Sequence, residues 1–212
     1  MTTDLATNEV NPFLAYGRAA NQRTIVGDIL KFSKGDWSAG SNDEEIDEGT
    51  RFVAVMDELM VGWVKWENNR PVQHEMGRLI DGFRPAKRKD LGDNDETMWE
   101  RDNRGEPRDP WQLTNYLILK EEQGDRLFTF APSSRGGIGA VAQLSEQYGK
   151  MNRQKPDAFP VVEIETSSYK HDSYGRIKIP VLKLVGWAPK ASAMALLEAN
   201  QADDDDQLDA PF

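Results

Sequence analysis

Short apolar runs separated by polar turns dominate this chain, and that rhythm predicts strands more often than helices. Residues 24–35, "TIVGDILKFSKG", carry apolar side chains on both parities and predict a strand. Residues 36–49 are polar and contain Gly, which predicts a loop. Residues 50–57 and 60–67 predict two strands joined by a tight turn, and 70–83 extends the sheet. From 84 to 110 the chain is strongly polar, with Pro85, Gly92, Gly105, Pro107 and Pro110, and predicts a long loop or inserted arm. Strands follow at 111–120 and 126–132, with Gly124 between them.

The period then changes. In 133–151, Ile138, Val141, Ala142, Ser145 and Tyr148 fall on one helical face, and Ser133 or Ser134 is placed to cap the start. Residues 159–171 and 175–187 return to strand pattern, and Pro180 puts the last strand at an edge or a bulge. Residues 188–200 are Ala-rich and predict a short helix. Strands, one helix, then two strands is the order of a five-stranded oligonucleotide-binding (OB) barrel. A doubly wound fold would need strands alternating with helices. The expected fold is therefore all-β with one main helix, an OB-like barrel with an extended arm. Its expected organisation is a flexible N-terminal arm (1–20), the barrel (21–188), and an Ala-rich linker leading into a disordered acidic tail (189–212).

Charge changes the picture more than composition does. The net charge is −10, which by itself argues against nucleic acid. Without the six acids of residues 198–212, however, 30 acids face 26 bases. Residues 150–190 hold eight bases and four acids. The pattern is a mixed or basic body with acidic appendages, "DEEIDE" at 43–48 being the other. There is no cysteine, which excludes disulfides, thiol nucleophiles and thiolate-bound zinc, and fits a reducing cytoplasm. No apolar run is long enough for a membrane helix, and the first ten residues lack signal-peptide character.

Few stretches suggest catalysis. "SSRGGIGAVA" at 133–142 has the glycines of a dinucleotide loop, with Glu163 and Glu165 downstream, but the fold it needs has further βα units. The glycines read better as letting a helix start close to the sheet. "HEM" at 74–76 lacks the second histidine of a zinc protease helix, and "DNDET" at 93–97 lacks the spacing of a calcium loop. The expectation is a protein with no catalytic role, no cofactor and no metal.

The C-terminal stretch "DDDDQLDAPF" is the sharpest signal. Consecutive aspartates cannot enter a core and hold each other apart in water. A final aromatic beside a carboxylate suits a pocket with apolar walls and a cation. Asp203, Asp204, Asp205, Asp206, Asp209, Ala210, Pro211 and Phe212 resemble the acidic tip of bacterial single-stranded DNA-binding proteins. Ala210 stands where a larger aliphatic residue is usual, and Gln207-Leu208 interrupts the acids. The body looks more like the divergent single-stranded DNA-binding proteins of phages and prophages. The resemblance implies a bacterial cytoplasmic setting, single-stranded DNA as ligand, and a tip that recruits replication and recombination enzymes while competing with DNA. Asp203 to Asp206, Asp209, Pro211 and Phe212 are then the partner-binding residues.

A stacking groove needs aromatic faces and cations along the phosphates. Trp37 lies near Lys34, and "GWVKW" puts Trp63 and Lys65 on one strand face and Trp66 on the other. Arg84, Lys87 and Arg88 open the polar arm. "SYKHDSYGRIK" interleaves Tyr169, Lys170, Tyr174, Arg176 and Lys178 near a hairpin turn. These are the expected nucleic-acid contacts. An edge strand or the terminal helix offers a surface for a homodimer. The rival reading is a phage structural or assembly protein with a solubilising tail; a nucleotide-dependent enzyme ranks third.

Overall fold

The computed structural model describes residues 25–172 and 175–208, the last eight of these by backbone alone. Among the described residues there are ten strands and two α-helices. They are β1 (Asp28–Ser33), β2 (Asp36–Ala39), β3 (Glu44–Glu45), β4 (Arg51–Ala54), β5 (Met60–Glu67) and β6 (Arg70–Arg78). Then come β7 (Trp111–Glu121), β8 (Leu127–Phe130), α1 (Arg135–Met151), β9 (Ala158–His171), β10 (Gly175–Pro189) and α2 (Lys190–Leu208). The class is mostly β, as expected. The sheet, however, is a branched one of ten strands rather than a closed ring of five: an eight-stranded path β10-β9-β4-β7-β8-β1-β2-β3, with β5 on β7 and β6 on β5.

β7 is the spine. Residues 114–119 are buried without a break, because both faces of the strand are covered. β8 lies along one edge of it. Along the other edge run β4 and β5 in one line: Ala54 opposes Leu119, Val55 N–H donates to the Ile118 carbonyl, and Met60 opposes Tyr116. The sequence suggested a hairpin of these two strands, but they do not pair with each other. A 3-10 turn at Met56–Glu58 displaces the chain between them, and Met56 and Leu59 plug the core from that turn. Beyond this break the sheet forks. β9 adds to β4, while β6 adds to β5 as a separate ribbon.

The core collects on one side of the fork. Phe52 meets Phe128 edge-on at 5.4 Å, and Trp37 packs between Phe32 and Phe130 at 5.0 and 5.4 Å. The polar segment 36–49 is not a plain loop: its alternation drops Trp37 and Ala39 inward and forms β2 and β3. The sheet curls until its distant parts touch. Thr166 on β9 donates its hydroxyl to the Gly35 carbonyl, 3.1 Å away, in the β1–β2 turn.

α1 begins where Ser134 Oγ accepts from Gly137 N–H at 3.2 Å. Its buried face is Gly137, Ala140, Val141 and Leu144, while Ala142 is exposed. The face is thus rotated from the expected one, because Leu144 is the large apolar residue at the i, i+3, i+7 spacing. A side chain at Gly137 would collide with Pro132, and one at Gly136 would stand 2.7 Å from Ile179. Those glycines serve close approach of helix and sheet. α2 docks through Ala193 and Leu197 and is anchored by Lys190, whose ammonium pairs with Asp57 at 2.8 Å. Its backbone stays helical to Leu208, through Asp203 to Asp206, where an extended acidic run was expected. Ala and Leu propagate a helix, and no Gly or Pro interrupts it before Pro211. Asp209, Pro211 and Phe212 lie outside the described residues, as does the N-terminal arm. Among the described residues, no helix is long and apolar enough to cross a membrane.

Candidate nucleic-acid interface

β9 and β10 form a long antiparallel ribbon that runs past the core. Opposed residues share a face, and the faces alternate along each strand. Ile164 opposes Leu182, and both are buried. Following that face outward gives Thr166 with Pro180, Ser168 with Lys178, and Lys170 with Arg176. Lys170, Arg176 and Lys178 therefore share the inner face, all exposed. The β1–β2 turn adds Lys34, which is exposed and has positive φ (56°). Gly35 next to it carries φ 103°, and a Cβ there would collide with the Lys178 side chain. So the turn and the ribbon are fitted together around these cations. None of the four makes an ion pair among the described residues.

The outer face of the same ribbon is different. Glu165 pairs with Lys183 at 2.6 Å and Glu163 with Arg51 at 3.0 Å. Tyr169 is also on this face, opposite Ile177 and 48% exposed. Sequence proximity had grouped Tyr169 with Lys170, but strand alternation separates them. Tyr174 lies outside the described residues.

The other expected contacts are placed on or under the arm 84–110. Trp37 is not among them: it is 2% exposed, so its faces are covered by Phe32 and Phe130 and no base can reach them. Trp63 is half-buried, and its indole N–H donates to the Ala86 carbonyl at 2.9 Å, which pins the arm to β5. Lys65 points its ammonium at Glu67 (3.2 Å) and Asp93 (3.1 Å). Its pKa is raised above the ordinary lysine value, by the hydrogen bonds to Asp93 first and Glu67 second. Asp93 is held below the usual aspartate range by the Trp111 indole N–H, at 2.9 Å, and by Lys65.

Arg88 is the hub of this arm. Its Nε faces both oxygens of Asp109 at 2.9 and 2.7 Å, and its terminal nitrogens donate to the Gly92 and Asp93 carbonyls and to Asn94. The guanidinium also lies 5.7 Å from the Trp99 ring. Arg88 and Lys65 are therefore spent on internal carboxylates, which corrects their assignment as phosphate contacts. Arg84 and Lys87 remain exposed on the arm's outside.

Two features escaped sequence reasoning. Lys34 was seen only as a neighbour of Trp37; its signal was the "SKGD" turn between two strands. The second is a cleft of about 630 Å³ between the β5–β6 turn and the arm, walled by Trp66 and Trp99. Trp99 sits in the most polar segment of the chain, where no periodicity marks a wall. Comparison with family models, with curated proteins and with solved structures returned no match to this chain.

Proposed function

We propose that the protein binds single-stranded DNA without strong sequence preference, on the cationic face made by β9, β10 and the β1–β2 turn. The observation that carries this reading is the set of Lys170, Arg176 and Lys178 on one face of a two-stranded ribbon, with Lys34 on the turn against it, all without carboxylate partners among the described residues. Such ammonium and guanidinium groups match a line of phosphates, and they carry no base code. A strand that wraps the ribbon meets Tyr169 on the opposite face, where a base can stack. The curled sheet acts as an OB-like platform in this reading, and the acidic C-terminal segment recruits enzymes of replication and recombination and competes for the cationic face.

The test is a titration of labelled oligothymidylate and of duplex DNA at two salt concentrations. The variant is Lys170→Ala/Arg176→Ala/Lys178→Ala, with its fold checked by circular dichroism. Affinity for the single strand should fall on the order of 10- to 100-fold, and the salt slope should lose about two units, since each phosphate contact contributes roughly 0.7. Deleting residues 203–212 should tighten binding. A folded triple variant with unchanged affinity and slope would overturn the proposal.

A further inference from the structure

The cleft beside the arm has a different chemistry from the ribbon. Its apolar walls are Trp66, Trp99 and Met98, which is 81% exposed. The two indoles form no ring pair with each other among the described residues, so the space between them is open. The rim carries Glu67, Asp93, Asp95 and Glu100 against one cation, Lys65. Lys65 is taken up by Glu67 and Asp93. That leaves Asp95 and Glu100, each with one oxygen engaged: Asp95 Oδ1 by Thr97 and Glu100 Oε1 by the Asn68 N–H. Their second oxygens take no hydrogen bond among the described residues. Both residues are exposed at the mouth.

We infer that this cleft docks a cationic side chain, an arginine or lysine presented by a partner protein, between the indole walls and the Asp95 and Glu100 carboxylates. A volume of about 630 Å³ lies within the usual span of ligand sites. Indole faces attract a guanidinium or ammonium, and carboxylates at the same mouth add charge complementarity. The arm already uses this chemistry on itself, with the Arg88 guanidinium over Trp99. A nucleotide is disfavoured here, because its phosphate would face the excess of carboxylates on the rim. Hydrogen bonds hold Asp93 and Asp95 below the ordinary aspartate pKa, so both are ionised at neutral pH. The inference stands apart from the DNA reading, since the ribbon's cationic face and this cleft share no residue.

The experiment uses the full chain, with indole N–H signals assigned through Trp66→Phe and Trp99→Phe. The probe is the peptide acetyl-Gly-Arg-Gly-amide, compared with the same peptide carrying neutral citrulline. The arginine peptide should shift the Trp66 and Trp99 signals saturably, and the citrulline peptide should bind about three- to fivefold more weakly. Asp95→Asn/Glu100→Gln keeps the turn's capping oxygen and both walls, and should weaken the arginine peptide by a similar factor. Equal shifts from both peptides, or no shift from either, would overturn the inference. So would an oligothymidylate that moves these two signals where the arginine peptide does not. That last result would assign the cleft to bases and leave the ribbon titration as a separate question.

Discussion

Two ribbons leave the core of this protein, and both are rich in cations. On the β5–β6 side, the arm 84–110 folds back and neutralises its own charges. Arg88 is enclosed by Asp109 and carbonyl oxygens, and Lys65 by Glu67 and Asp93. On the β9–β10 side the sequence is no more basic to the eye, yet Lys170, Arg176 and Lys178 share one face, Lys178 lies against the turn bearing Lys34, and no carboxylate pairs with them among the described residues. The difference shows that a count of Lys and Arg does not measure capacity for a polyanion. A guanidinium already satisfied by a carboxylate would have to give up that bond before reaching a phosphate, whereas a hydrated, unpaired one only releases water and counterions. The first arrangement stabilises an arm. The second leaves charge available to a ligand.

The comparison breaks first if the tryptophan beneath the cationic turn proves to be part of the interface. Trp37 packs against Phe32 and Phe130, and its indole N–H has no hydrogen-bond partner among the described residues. Trp37→Ala should therefore cost about 3–5 kcal/mol of stability in a urea melt. Trp37→Phe should cost much less, because it removes no hydrogen bond and keeps an aromatic ring. It should leave DNA affinity within twofold. A Phe variant that folds normally but loses DNA binding would place Trp37 on the ligand side.

Next in size is the arm's hub. Arg88→Ala should lower stability by about 2 kcal/mol, since charge-assisted hydrogen bonds contribute more than neutral ones while this side chain remains partly solvated. DNA affinity should change less than twofold. Arg88→Lys should recover little of the lost stability, because an ammonium cannot reproduce a planar fork on Asp109 and two carbonyls at once. If Arg88→Ala instead weakened DNA binding tenfold at unchanged stability, the arm would belong to the interface and the contrast would fail.

Much of this was legible in the chain itself. Most strand positions follow from short apolar runs bounded by turn residues, the helix from its change of period, and Pro180 from its need for an edge strand, since β10 pairs with β9 alone. What could not be read was partnership. Whether β4 and β5 turn back on each other or run on in line depends on β7, far along the chain (Ala54 opposes Leu119, Met60 opposes Tyr116), which no local pattern encodes. Likewise Arg88 looks the same in sequence whether Asp109 reaches it or not. The separation of Tyr169 from Lys170 was available from alternation, but grouping residues by proximity in sequence concealed it. Lys34 owes its place to a contact with β9 across 131 positions.

Acid should sharpen the comparison, with the smallest effect. Asp93 accepts from the Trp111 indole and from Lys65, and these bonds hold its folded-state pKa below the ordinary aspartate value of about 3.9. A group depressed on folding contributes its stability above the unfolded pKa and loses it as pH falls through the folded one. Lys65 is raised and stays charged throughout the acid range, so acid acts on this pair only through its carboxylate; the lysine's own titration would weaken the pair only above the ordinary lysine pKa. The arm should therefore be unchanged from pH 7 to about 5 and loosen below about 4. Among the described residues the inner face of β9–β10 has no paired carboxylate to protonate, and it should not respond in that window. Hydrogen exchange of the Trp99 and Trp111 indoles, compared with the amides of residues 166–170, reads the two regions together. Asp93→Asn should exchange faster at pH 7 and show a smaller acid step, that of the arm's other hydrogen-bonded aspartates, Asp95 and Asp102. Loosening of both regions at one pH, in the native chain and in Asp93→Asn alike, would mean that the arm is not a separately titrating unit. Its internal charge pairs would then give no reason to treat the two ribbons differently.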